Sequence, residues 1–187
     1  MRKKISKYLS NALLVFIILV LFIPSWRLKF RTTWMKLFMS DVEFVDNGRT
    51  STSIDFPMFD SNDVLLNFQS LKGKPTILSF WRTWCAPCRA ELPEIAKITE
   101  HYKGDLQVIY LTNETFEVIQ GAGISVKEYP FIRYSPYQSA DFEVDAFPTL
   151  FLLDKDLNIV SKITGGGNLL NDSNIDLINS LILEANT

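Results

Sequence analysis

The spacing of apolar and polar residues changes several times along this chain, and each change marks an element. From Ile54 to Asn67 short apolar pieces alternate with Asp, Ser and Asn, which predicts a β-hairpin turning near Ser61-Asn62-Asp63. Phe68–Leu71 fits one helical turn ahead of the Lys72-Gly73-Lys74-Pro75 turn. Thr76–Trp81 is a largely apolar run of strand length, as expected for a central strand covered on both faces. Past Cys85 the period becomes helical and runs to about Tyr102. Leu92, Ile95, Ala96, Thr99 and Tyr102 share one face, Pro93 removes an interior backbone bond and should kink the helix, and Gly104 is the expected stop. Leu106–Thr112 predicts a second buried strand, residues 113–125 an insertion holding a helix, and Tyr129–Arg133 a short strand. Gln138–Val144 predicts a helix or tight turn. Thr149–Asp154 and Asn158–Ile163 predict an antiparallel hairpin around Lys155-Asp156-Leu157, and Leu169–Glu184 a closing helix.

The first fifty residues read differently. Tyr8–Trp26 is 19 residues without a charge, about 28 Å as a helix, which is close to the thickness of a bilayer core. Tyr8 and Trp26 stand at its ends, where aromatic side chains suit the interface. A cleavable signal peptide competes with this reading, but Pro24-Ser25-Trp26-Arg27 follows the apolar run where a small-residue cleavage site would stand. We therefore expect an uncleaved anchor over residues 1–27, a juxtamembrane linker over 28–50 and a folded domain over 51–187. The linker's Trp34, Met35, Leu37, Phe38 and Met39 fit either an amphipathic segment lying on the membrane or a plain tether, and Val42–Val45 fits a short strand.

Charge sharpens this division. Net charge is −2 overall, yet residues 1–36 hold eight Lys/Arg and no acid, leaving 11 cationic against 21 anionic residues in the rest. A basic head on an acidic body argues against nucleic acid as a partner and for a head near a membrane. Four basic residues precede the apolar span and four follow it, so their count does not orient it, and the short N-terminal tail makes an inside N-terminus the default.

The candidate chemistry lies in the two cysteines, Cys85 and Cys88, separated by Ala86 and Pro87 at the junction of a predicted strand and a predicted helix. A helix N-terminus offers unpaired N–H groups and the positive end of its dipole, both of which favour a thiolate. Pro87 suits a first helical turn, where its missing N–H costs nothing. Cys85, at the exposed edge, is the expected nucleophile, and Cys88, one turn deeper, is expected to resolve the mixed disulfide. A zinc site would need about four ligands, whereas the chain offers these two cysteines and one histidine, His101, at the far end of the helix. A purely structural disulfide would close too short a loop to stabilise much.

Trp84-Cys-Ala-Pro-Cys88 after a β-run, with Phe147-Pro148-Thr149 before another, resembles the thioredoxin superfamily. Cys88-Arg-Ala-Glu91-Leu-Pro93 is similar to a block of the membrane-anchored TlpA/ResA-like branch, and the likeness runs from about Phe56 to the C-terminus. The resemblance implies an α/β, thioredoxin-like fold with a central mixed sheet flanked by helices, an N-terminal hairpin, an inserted helix and a transmembrane helix ahead of it. Ordinary thioredoxins carry a buried aspartate where this chain has Ser79, and the branch places a glutamate where this chain has Glu91. Positions 88 and 91 share a helix face, so Glu91 can lie beneath the sulfurs and exchange protons with Cys88. The alternative is a solvated first-turn acid favoured by the dipole. The resemblance further implies a cis bond before Pro148, a backbone at Phe147 that pairs with an extended substrate, and a Trp84 that covers one side of the sulfur pair.

These expectations make the protein a monomeric protein disulfide reductase that needs neither metal nor other cofactor. It would act on extracytoplasmic disulfide-containing proteins, with cytochrome c maturation among the client pathways, and would be recharged by a membrane electron donor. It would sit in the cytoplasmic membrane with its domain facing the periplasm or cell exterior. A copper-delivery module is disfavoured by the placement of His101, and a non-catalytic client-binding domain remains as a second alternative. Gly165-Gly166-Gly167 lacks the Lys-Ser/Thr of a phosphate loop and reads as a turn.

Overall fold

The apolar runs assemble into one seven-stranded sheet in the computed structural model, which describes residues 11, 13–16, 43–44, 46–51, 54–136 and 142–187. The chain divides into two units, residues 1–38 and 39–187. In the first, Asn11 and residues 13–16 are helical. Among the described residues no helix is long and apolar enough to cross a membrane. Most of the Tyr8–Trp26 span and the whole of the 34–39 segment lie outside them.

In the second unit the strands are β1 (Pro57–Phe59), β2 (Leu65–Asn67), β3 (Thr76–Phe80), β4 (Gln107–Thr112), β5 (Ile132–Tyr134), β6 (Thr149–Leu153) and β7 (Ile159–Thr164). Their spatial order is β2-β1-β5-β4-β3-β6-β7. β3 lies parallel to β4 and antiparallel to β6, and all five of its residues are buried. The strand period sorts these residues between two cores. Ile77 of β3, Val108 and Tyr110 of β4, and Leu150 and Leu152 of β6 face one core. There they meet Leu92, Ile95 and Ile98 of helix α1 (Ala86–His101) and Ile178 and Leu181 of helix α3 (Asp172–Ala185). Leu78, Phe80, Ile109, Leu111, Phe151 and Leu153 face the other core, where Phe56, Phe68 and Phe142 close the layer. Phe56 stacks on Phe68 at 5.0 Å, and Phe142 meets the edge of Phe151 at 5.0 Å. Burying each such ring contributes roughly 1.5–3 kcal/mol. After the β1–β2 hairpin at one edge, the order is β-α-β-α-β-β-β-α, a thioredoxin-like arrangement in which helix α2 (Phe116–Gly121) and β5 stand between β4 and β6.

Several boundaries differ from expectation for physical reasons. β5 begins at Ile132 rather than Tyr129, because Tyr129 and Ile132 close turns back to Ser125 and Tyr129. α3 begins at Asp172 rather than Leu169, because the Asn171 side chain accepts the Asn174 N–H at 2.9 Å and caps the helix there. α1 runs through Pro93 to His101, and Gly104 follows with a positive φ of 94° that suits glycine. Glu43 and Phe44 are not in a strand, and Val42 and Val45 lie outside the described residues. Of the 138–144 segment, Phe142 sits in a 3₁₀ turn and residues 138–141 lie outside them.

Part of the stretch read as a linker belongs to the folded body. Thr50 and Ile159 exchange both backbone hydrogen bonds, at 3.0 and 2.9 Å, and the Asn47 N–H reaches the Val160 carbonyl at 3.2 Å. Residues 47–50 therefore cover the outer edge of β7, which would otherwise offer unpaired backbone groups to another chain. Arg49 pairs with Glu184 and, at 3.5 Å, with Asp154. Phe44 is buried, and its N–H donates to the Asn174 side-chain oxygen at 2.6 Å, while the Asn174 amide donates to the Leu169 carbonyl at 3.1 Å. Asn174→Ala leaves those backbone groups unpaired in a dry site. Urea unfolding of this variant is expected to show a loss of about 2 kcal/mol.

Candidate active site

The end of β3 delivers the cysteine pair. Strand pairing stops at Phe80, after which Trp81 still donates its backbone N–H to the Leu111 carbonyl and its indole N–H to the Tyr110 carbonyl. A turn then closes from the Cys85 N–H to the Arg82 carbonyl at 3.1 Å and leaves Cys85 as the N-cap of α1 with extended backbone angles. Its sulfur accepts the Cys88 N–H at 3.2 Å, one of the donors a helix start leaves over. Cys85 and Cys88 are joined as a disulfide, with Cα atoms 5.3 Å apart. Cys88 is fully buried and Cys85 is 5% exposed, so Cys85 is the outer sulfur, though by a narrow margin.

A second loop closes over the first. The Phe147–Pro148 bond is cis, and the Phe147 carbonyl oxygen lies 3.4 Å from the Cys85 sulfur. The Phe147 ring is bracketed by the Arg82 guanidinium, 4.4 Å from its centroid, and by Trp84, edge-on at 5.8 Å. Trp84 is 71% exposed, a large value for an indole beside a buried sulfur pair. The Gly165 N–H donates to the Pro148 carbonyl at 2.8 Å, and a Cβ added to Gly166 would stand 3.4 Å from Pro87 and 3.5 Å from Pro148. The glycine run read as a turn is therefore also the place where the β7 end passes close between the two prolines.

One turn along α1 from Cys88 lies a buried acid. Glu91, on the same face of α1 as Cys88, is fully buried, so it is not the solvated first-turn acid left open by the sequence. One carboxylate oxygen stands 3.4 Å from the Tyr110 hydroxyl and the other has no hydrogen-bond partner. Burial pushes the Glu91 carboxyl up to about 8, and the Tyr110 hydroxyl and the Gly167 N–H oppose that shift only in part. In the disulfide form shown here, Glu91 therefore carries a proton at neutral pH.

Four contributors to this arrangement were not legible beforehand. The Tyr110 hydroxyl donates to the Cys88 carbonyl at 2.8 Å. Glu114 accepts the Thr83 N–H at 2.6 Å and the Thr83 hydroxyl at 2.8 Å, and Arg89 donates to the Thr83 carbonyl at 3.4 Å and to the Ala122 carbonyl at 3.0 Å. Thr83 in the cysteine loop is thus fastened to both ends of the segment that carries α2. Arg82, unlike a surface arginine, is buried on Phe147, where desolvation lowers its pKa and Glu114 opposes that. His101 is exposed at the far end of α1. Among the described residues no three His, Cys, Asp or Glu side chains are grouped so as to hold a metal ion.

Residues 46–176 match the Redoxin family. The chain is 30% identical over 132 residues to the thiol-disulfide oxidoreductase ResA of Bacillus cereus, covering 68% of this chain and 75% of that protein. It is 29% identical over 122 residues to ResA of Bacillus subtilis, covering 62% and 66%. Among solved structures, a thiol:disulfide interchange protein of the thioredoxin family from Chlorobium tepidum superposes with a TM-score of 0.55 at 22% identity, over 73% of this chain and 99% of that one. At that identity the last comparison speaks to the fold.

Proposed function

The chain belongs to the redoxin family and is a thiol–disulfide oxidoreductase of the TlpA/ResA-like type, and from this premise we propose that it is a membrane-tethered reductase of disulfides in extracytoplasmic client proteins. One observation carries the reading. The Cys85–Cys88 disulfide caps a helix, with the Phe147 carbonyl oxygen 3.4 Å from its outer sulfur and a buried, protonated acid one helical turn from Cys88.

The reaction runs from the reduced form. The Cys85 thiolate, favoured by the first-turn N–H groups of α1, attacks one sulfur of a client disulfide. A mixed disulfide forms and the client's other sulfur leaves as thiolate. Ionised Glu91 takes the proton of the Cys88 thiol, and the resulting Cys88 thiolate attacks the Cys85 sulfur. The mixed disulfide breaks, and the client's second sulfur leaves and takes up a proton from water. Two electrons have passed to the client, Cys85 and Cys88 are joined, and Glu91 holds the proton. That end state agrees with the raised Glu91 pKa in the disulfide form.

An extended client segment would align on the Phe147 backbone, flanked by exposed Trp84. Client cysteine pairs of the cytochrome c maturation class suit a site that accepts short extended segments. A membrane electron donor returns two electrons to the Cys85–Cys88 disulfide after each turnover. The charge-free Tyr8–Trp26 stretch supports tethering in the cytoplasmic membrane, with the domain facing the periplasm or cell exterior.

The test is to equilibrate the full-length protein with glutathione and read its reduction potential. A value more reducing than about −200 mV supports a reductase, whereas one near the −120 mV of a strong oxidant overturns that direction. Labelling Cys85 in intact cells with a membrane-impermeant thiol reagent is expected to succeed, and failure there would place the domain on the cytosolic side.

A further inference from the structure

Tyr110 stands in a run of apolar strand residues, and its ring behaves accordingly. It stacks on Trp81 at 5.0 Å, meets the edge of Phe131 at 6.1 Å, and is fully buried. Its hydroxyl does something else. It lies between two acceptors, the Cys88 backbone carbonyl at 2.8 Å and the Glu91 carboxyl at 3.4 Å. A phenol has one proton to give. When that proton goes to the Cys88 carbonyl, a Glu91 oxygen facing the phenol needs a proton of its own, because two lone pairs would otherwise confront each other. When Glu91 is ionised, the charged acceptor is the stronger one, and the hydroxyl turns to it and leaves the Cys88 carbonyl.

We propose that Tyr110 is a positioning residue whose hydroxyl switches between the Cys88 carbonyl and the Glu91 carboxylate, so that the protonation of Glu91 is reported to the backbone that carries the inner cysteine. The inference rests on the reductase reading, in which Glu91 gains and loses a proton once per cycle, and adds the group that senses it. Burial and the neighbouring carboxylate hold the Tyr110 phenol well above its usual value, so it keeps its proton throughout and moves only its direction. The surroundings leave Glu91 few other options. α1 contributes Cys88, whose carbonyl the Tyr110 hydroxyl also reaches, while Ser79 of β3 stands across the register from Tyr110 and acts on the phenol rather than on the acid. β4 contributes Tyr110 itself, and the loop after β7 contributes the Gly167 N–H. Among the described residues no charged side chain acts on the Glu91 carboxyl.

The experiment is a carbon-13 titration of the full-length disulfide form, following the Glu91 carboxyl and the Cys88 backbone carbonyl together. In the wild type the two signals are expected to share one midpoint, because ionisation of the acid takes the hydroxyl from the carbonyl. In Tyr110→Phe, which keeps the ring and its stacking, the Glu91 midpoint should rise by about tenfold or more in proton affinity, and the Cys88 carbonyl should stop responding. Site-specific 3-fluorotyrosine at position 110, a stronger donor of the same shape, should move the midpoint down and guards against a poorly folded Phe variant. A wild-type Cys88 carbonyl that stays silent while Glu91 titrates overturns the switch, as does an unmoved midpoint in Tyr110→Phe. The underlying reading fails separately. Full turnover with an unchanged pH profile in Glu91→Gln would remove the proton relay while leaving these spectra as they are.

Discussion

Cys88→Ala is expected to stop turnover and to leave the protein covalently joined to its client. The outer sulfur of Cys85 still caps α1 and can still attack, so the mixed disulfide forms at its usual rate. Its breakdown then lacks the one thiol held beside it, since Cys85 and Cys88 are the only cysteines in the chain. Intramolecular attack by a prepositioned group is worth effective concentrations far above any thiol in solution, so turnover should fall by roughly 10³-fold or more. Cys85→Ala should lose turnover to a similar degree and form no adduct. Non-reducing electrophoresis and release of client thiol read both outcomes. A Cys88→Ala protein that turns over at the wild-type rate would mean that the inner sulfur has no part in the chemistry.

Glu91→Gln should alter the pH dependence of stability as much as the rate. The Glu91 carboxyl is raised from 4.5 to about 8 in the folded disulfide form. Between those values the unfolded chain has released the proton and the folded chain retains it, so stability falls as pH rises. The slope is about 1.4 kcal/mol per pH unit, for a total on the order of 4–5 kcal/mol once Glu91 is ionised at alkaline pH. Glutamine fills the site without ionising, so the variant should lose this dependence and be the more stable protein at alkaline pH. Urea unfolding of both forms from about pH 5 to pH 9 measures it, and parallel curves would refute the burial of a neutral acid. The same change removes the proposed base for Cys88, which should slow the resolving step by roughly 10²-fold or more at neutral pH.

The parts of the fold governed by local period were legible. β3 reads as a doubly covered strand and is one, and the helical face after Cys85 has Leu92 and Ile95 inward as expected. The cysteine pair was legible from its spacing, and the cis bond before Pro148 from the family resemblance that Phe147-Pro148-Thr149 helps to carry. Non-local polar pairing was not. Tyr110 sits among apolar neighbours, and hydropathy cannot register where one hydroxyl points. Glu114 belongs to a segment that reads only as an insertion holding a helix, yet it accepts two hydrogen bonds from Thr83, 31 positions earlier. The same blindness set the domain boundary too late. Asp46-Asn47-Gly48 has the composition of a tether, and its pairing with β7 depends on residues more than a hundred positions away.

That late boundary has a mechanical consequence. Phe44 is pinned to Asn174, and Thr50 is paired with Ile159, so tension arriving from upstream lands on α3 and the rim of β7 rather than on the dithiol. A pull on the chain upstream of Phe44 should thus strip the 44–50 segment from α3 and β7 before it disturbs the cysteine loop.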